Sequence, residues 1–152
     1  NPIVFSRTST AKRLYVIDMH NKKIIYSSYV SHGKNSGENF ATSFSNREGS
    51  YQSSLGFYMT ENTYIGKNGF SLVLNGLEKG FNDLAKKRAV VIHGADYANP
   101  EVIKSTGRLG RSFGCPALPH ALNKEIINTI KGGSLLFIYA KDKKYLENSN
   151  IL

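Results

Sequence analysis

The strongest constraint on this chain is the way short apolar runs rich in β-branched and aromatic residues alternate with glycine and asparagine turns. RLYVID (13–18) and KIIYSSYV (23–30) read as two strands, with MHNK between them as a hairpin connection. GFYMTENTYIGKNGFSLVLNG (56–76) reads as two more, turned at GKNG (66–69). RAVVIHG (88–94) is a continuous apolar run that suits a buried strand, and SLLFIYA (134–140) supplies the last strand. A helical period occurs once after the midpoint, at Leu122, Ile126, Ile127 and Ile130, and Gly132-Gly133 stops it. GLEKGFNDLAKKR (76–88) reads as a loop with a short helix, and the stretch from Lys141 onward as a polar, frayed tail. The pattern predicts a mainly β fold in one domain spanning residues 1–152, with its core over about 13–140.

Composition narrows the partners. A chain of 152 residues with 40% hydrophobic content supports one core. Twenty lysines and arginines against 11 acids leave a net charge of +9, which favours an anionic partner without saying which. The lysines are scattered and form no basic arm. No apolar run of about 18 residues is present, so no membrane insertion is expected, and NPIVFSRTST lacks the apolar stretch of a leader. One cysteine allows no internal disulfide and leaves the compartment open.

That cysteine is the candidate for chemistry. It lies in RLGRSFGCPALP (108–119), where glycine and proline build a tight turn that exposes both a sulfur and backbone N–H donors. His93 closes the apolar run 88–94, and Gly94 turns the chain after it. The loop between them, ADYANPEVIKSTGRLGRSFG, is long enough to double back and pair Cys115 with His93. The plain alternative is that Cys115 packs as a small buried hydrophobe. Gly110 to Gly114 also spell G-x-S-x-G, but a serine nucleophile needs a strand before Ser112, a helix after it, and an acid then a histidine downstream. His120 is the only later histidine, and no convincing acid precedes it. Cys115, His120, His93 and Asp96 are too irregularly spaced for an ordinary zinc site. The serine-, glycine- and asparagine-rich stretch 31–56 keeps Phe40, Phe44 and Tyr51 and reads as an ordered excursion of the kind that lines a site.

At VVIHGADY followed by GRSFGCPALP the chain resembles the L,D-transpeptidases, the YkuD-type cysteine enzymes of bacterial cell walls. HGKNSGENFATSFSNREGSYQSSLGFY (32–58) resembles the branch of murein L,D-transpeptidase catalytic-domain proteins. The family pattern of histidine-glycine, then Ser/Thr-His-Gly-Cys, is met by His93-Gly94 and by Ser112-Phe113-Gly114-Cys115. Phe113 stands in place of the second histidine, and Ala117 in place of the arginine or asparagine that commonly follows the cysteine.

The resemblance implies a YkuD-like β-sandwich of mixed sheets with a helix after the nucleophile loop. It implies that Cys115 attacks a peptidoglycan stem peptide at the diaminopimelate carbonyl, releases the terminal D-alanine and forms an acyl-enzyme. His93 is then the base, oriented by the carbonyl of Gly94, and the N–H groups of Phe113, Gly114 and Cys115 hold the oxyanion. Ser112 braces the loop or is a simple turn serine. Arg108 and Arg111 are expected to clamp substrate carboxylates, and His32 to line the cleft from the other side. No metal and no organic cofactor is implied, nor any nucleic-acid partner. A monomer in the periplasm, or secreted and associated with the wall, is expected. Two alternatives stay open: a cysteine hydrolase working through the same acyl-enzyme, and a wall-binding module without activity.

Overall fold

The computed structural model describes residues 1–152. Eight strands form one hydrogen-bonded sheet: β1 (Pro2–Val4), β2 (Leu14–Asp18), β3 (Lys23–Ser28), β4 (Gly56–Gly66), β5 (Gly69–Gly76), β6 (Val91–Gly94), β7 (Ala117–Leu118) and β8 (Leu135–Tyr139). Their order across the sheet is β3-β2-β1-β8-β4-β5-β6-β7. β1 runs parallel to β8, and β6 parallel to β7; the other neighbours are antiparallel. The fold is thus mainly β and mixed, as expected, with the ladder continuous from end to end rather than broken between separate sheets.

Alternation in the strands sets the inside. Tyr58, Leu72, Leu74, Ile92, Leu136 and Ile138 join one apolar cluster of 21 buried residues. Helix α2 (His120–Ile130) adds Ile126, Ile127 and Ile130 to that cluster, the stripe that its sequence period predicts. Each such side chain stabilises by about 1.5–3 kcal/mol when fully buried. Thr60 ties the end of α2 to β4, donating to Ile130 O at 2.6 Å and accepting from Ser134 N at 2.8 Å.

Four sequence readings change. Residues 2–4 are a strand at the centre of the sheet, bonded on both edges, so the core starts well before residue 13. Residues 78–89 form overlapping turns without a helix. A helix is found instead at α1 (Pro100–Thr106), with proline in its first turn and Gly107 in the left-handed conformation at its end. The tail is anchored rather than frayed: in α3 (Lys143–Asn148) Tyr145 is fully buried, and its hydroxyl donates to Glu78 Oε2 at 2.5 Å. Asp142 caps this helix by accepting from Tyr145 N at 3.0 Å, and Ser149 Oγ donates to the other oxygen of Glu78.

Candidate active site

Strand register brings the cysteine to the histidine's strand. β6 and β7 pair in parallel with His93 opposite Ala117, and continuing two places back sets Cys115 opposite Val91. The sulfur is found there: Val91 N–H donates to Sγ at 3.4 Å, and the thiol donates to Ala89 O at 3.5 Å. Val91 and His93, two apart on one strand, point to the same side, while Ile92 between them enters the core. The register thus sets Cys115 diagonal to His93 across the β6–β7 pair, with the sulfur lying against the backbone of residues 89–91. No hydrogen bond joins them in this resting geometry, because the thiol proton is engaged by Ala89. Ala89 holds its carbonyl there from a left-handed backbone, φ 55°.

The imidazole has a defined tautomer. Nδ1 lies 2.9 Å from Gly94 O, and a carbonyl only accepts, so Nδ1 carries the proton and Nε2 presents a lone pair. Burial lowers the pKa of His93 below its ordinary 6.5, with the Gly94 carbonyl acting the other way and nearby His120 adding to the lowering. Burial raises the thiol pKa of Cys115, opposed by the Val91 N–H and by the positive charge of Arg88. At neutral pH the pair rests as thiol and neutral imidazole.

The turn before Cys115 is braced internally. Ser112 Oγ donates to Cys115 O at 2.6 Å and accepts from Gly114 N at 3.1 Å. Its hydroxyl is thus committed to the backbone, and the residue is 3% exposed. Gly114 sits at φ 124°, a conformation that favours glycine. Its N–H is used by Ser112, which removes it from the free donors; those of Phe113 and Cys115 have no acceptor. Gly94 admits α2 to the site, since a Cβ there lies 2.9 Å from His120 Nδ1.

Arg88 is a site residue that sequence reasoning missed. It donates from Nη1 to Ser45 O at 3.0 Å and Ser54 Oγ at 2.6 Å, and from Nη2 to Ser50 Oγ at 3.1 Å and Gln52 O at 2.8 Å. Nη2 also lies 3.2 Å from where a Cβ of Gly114 falls. One guanidinium thus holds the 45–54 loop against the cysteine turn. Arg108 and Arg111 each bind one backbone carbonyl, Leu109 O at 2.9 Å and Lys34 O at 3.0 Å, and their other N–H groups have no protein partner.

His32 requires a correction. It is 1% exposed, in the wall behind the site rather than on a cleft surface. Arg13, fully buried, approaches Nδ1 at 3.1 Å, and Nε2 meets Gly37 O at 2.9 Å. Arginine only donates, so His32 is the neutral Nε2–H tautomer. Burial, and after it the charge of Arg13, push its pKa down to about 4. Arg13 also donates to Val30 O, lies 4.7 Å over the Phe5 ring, and has its own pKa lowered by burial to about 9.

A pH dependence of stability follows. Between pH 6.5 and about 4 the unfolded chain binds a proton at His32 that the folded chain refuses, so stability falls as pH drops through that window. We expect roughly 2–3 kcal/mol to be lost between pH 7 and pH 4.5, read from urea midpoints. His32→Asn, which keeps an acceptor for Arg13 and a donor for Gly37, should show a shallower loss.

The histidine, cysteine and acid considered as a metal set do not converge: His120 Nε2 pairs with Asp96 Oδ1 at 3.1 Å, and no group of three or more such side chains gathers anywhere. The main surface hollows lie elsewhere, the widest about 480 Å³ beside Val16, Ile25 and Leu135. Cys115 is partly exposed and lines none of these larger hollows.

A thiol and a neutral histidine thus lie near one edge of the sheet, with two free N–H donors at the thiol's turn. A family model for the L,D-transpeptidase catalytic domain (YkuD_2) matches residues 2–139, and the chain belongs to that family. Among solved structures it is similar to the L,D-transpeptidase (residues 123–326) of Xylanimonas cellulosilytica DSM 15894, at 12% identity and TM-score 0.49, covering 91% of this chain and 58% of that one. It is also similar to an L,D-transpeptidase from Mycobacterium smegmatis, at 13% identity and TM-score 0.45, covering 78% of this chain and 50% of that one. No curated protein sequence matches the chain.

Proposed function

We propose that the chain is a cysteine L,D-transpeptidase acting on peptidoglycan stem peptides outside the cytoplasmic membrane, as a monomer and without a metal or cofactor. The observation that carries this reading is the free Nε2 of His93 on β6, the strand whose Val91 N–H holds the sulfur of Cys115. The Cys115 side chain turns from Ala89 O toward His93, which takes its proton as sulfur attacks the diaminopimelate carbonyl. The N–H groups of Phe113 and Cys115 hold the oxyanion, each worth about 3 kcal/mol. Collapse breaks the C–N bond, and D-alanine leaves with the proton from His93. An amine then attacks the thioester, restoring the thiol and completing the amide. Arg108 and Arg111 offer their open N–H groups to stem carboxylates. No helix is long and apolar enough to cross a membrane.

Exposure to a carbapenem, a class that acylates the family's cysteine, tests the nucleophile. Intact-protein mass should show one covalent adduct on the native chain and none on Cys115→Ala, while Ser112→Ala keeps it. An adduct surviving in Cys115→Ala would sink the reading. Cys115 is partly exposed, so water reaching the acyl-enzyme makes hydrolysis the second reading. Products on isolated muropeptides decide: new cross-links mark the transferase, and shortened stems alone mark the hydrolase.

A further inference from the structure

Two aromatic side chains beside the nucleophile have no structural use. Tyr51 and Phe113, from loops far apart in sequence, stack with centroids 4.5 Å apart and planes at 28°. Both remain in solvent, Phe113 68% exposed and Tyr51 43%. Phe113 is two residues from Cys115, and the loop carrying Tyr51 packs on the same turn, with Gln52 O 2.9 Å from a Cβ placed on Gly114.

Tyr51 is held in this position against its backbone preference. Its φ is 56°, the left-handed region that a bulky residue avoids. Asn35 N–H fixes its carbonyl at 2.9 Å, and Arg88 fixes the next one, Gln52 O, at 2.8 Å. The ring pair is therefore preformed and kept in the open.

Its surroundings give it a use. Arg111 lies against Lys34 O, Arg88 stands behind Gly114, and the chain as a whole carries +9. A cation approaching the sulfur is repelled by these groups, but the faces of the two rings are electron-rich and attract it. Transfer requires such a cation, because an alkylamine acceptor travels as its ammonium at neutral pH.

We propose that the Tyr51–Phe113 pair is the landing site of the acyl acceptor, a primary alkylamine arriving as an ammonium. This rests on the transpeptidase reading and extends it to the second substrate. Over the rings the ammonium gives a proton to water; the free amine attacks the thioester carbon, the C–N bond forms, and nitrogen passes its second proton to His93 Nε2. The C–S bond then breaks, and sulfur recovers that proton.

The test uses the native chain, a stem tetrapeptide as donor and lysine amide as acceptor probe, with D-alanine release and both products followed by mass spectrometry. Tyr51→Asn removes the ring and tolerates the left-handed backbone. It should release D-alanine at the native rate yet need about two- to fivefold more lysine amide to divert half of the acyl-enzyme from water. Tyr51→Phe should partition like the native chain. Equal partition in Tyr51→Asn overturns the proposal alone, whereas a native acyl-enzyme that lysine amide never intercepts, leaving shortened stems, overturns the transpeptidase reading on which it rests. Complete absence of D-alanine release and of an acyl-enzyme in the native chain overturns the transpeptidase reading itself.

Discussion

His93→Ala is expected to slow acyl-enzyme formation at pH 7 about a thousandfold, without changing the mass of the adduct finally formed. The size follows from the resting protonation states. Cys115 is pushed up by burial and His93 is pushed down by burial, so the thiol keeps its proton until attack begins. A base must then remove it during the step, and Nε2 of His93 is the free lone pair that β6 presents beside the cysteine turn. The sign with pH is fixed by the same shifts. The native rate falls as pH drops through the His93 pKa, which lies below 6.5, and is flat above it until the thiol begins to ionise. In His93→Ala the acid limb disappears, and the rate climbs steadily with pH toward the thiol pKa. A preformed thiolate–imidazolium pair gives the opposite signature, a bell whose lower limb belongs to the thiol. Stopped-flow acylation from pH 5 to 9 on both proteins separates the two.

Much of the sheet is legible from sequence because its strands alternate or run apolar for five residues or more. β4 and β5 turn at the glycines of GKNG, with Gly66 paired to Gly69. β1 is not legible, since PIV is too short to show a period and its place depends on pairing with Tyr139 and its neighbours across the whole chain. Helix α1 does leave a signal, proline in the first turn and glycine at the end, but without a buried residue it has no apolar stripe. The tail looks polar because its one anchor, Tyr145, works through Glu78, far away in sequence.

The site divides in the same way. Cys115 and His93 stand out as candidates because their residue types and glycine context suit chemistry without reference to any distant partner. His32 has the same residue type, yet its role is decided by buried Arg13, which nothing in the spacing announces. The partners of the sulfur are backbone groups of Ala89 and Val91, and only strand register reveals them.

Arg88→Ala is expected to lower stability by about 3 kcal/mol and to raise the pH at which Cys115 becomes reactive. The first effect comes from geometry: one planar guanidinium satisfies two carbonyls and two hydroxyls of the 45–54 loop, and hydrogen bonds to a charged donor are worth about 1.5–3 kcal/mol each. Arg88 is only half-buried, so water recovers part of the loss and the sum of four bonds is not reached. The second effect comes from charge, since Arg88 opposes the burial that holds the thiol up. Lysine separates the two. Arg88→Lys keeps the positive charge but cannot hold four acceptors from one point, so it should lose stability nearly as alanine does while the thiol titrates close to its native position. Urea midpoints report the first quantity, and the pH dependence of alkylation by iodoacetamide reports the second. If alkylation follows the same pH curve in all three proteins, Arg88 acts on the loop alone, and the thiol owes its reactivity to Val91 N–H and His93.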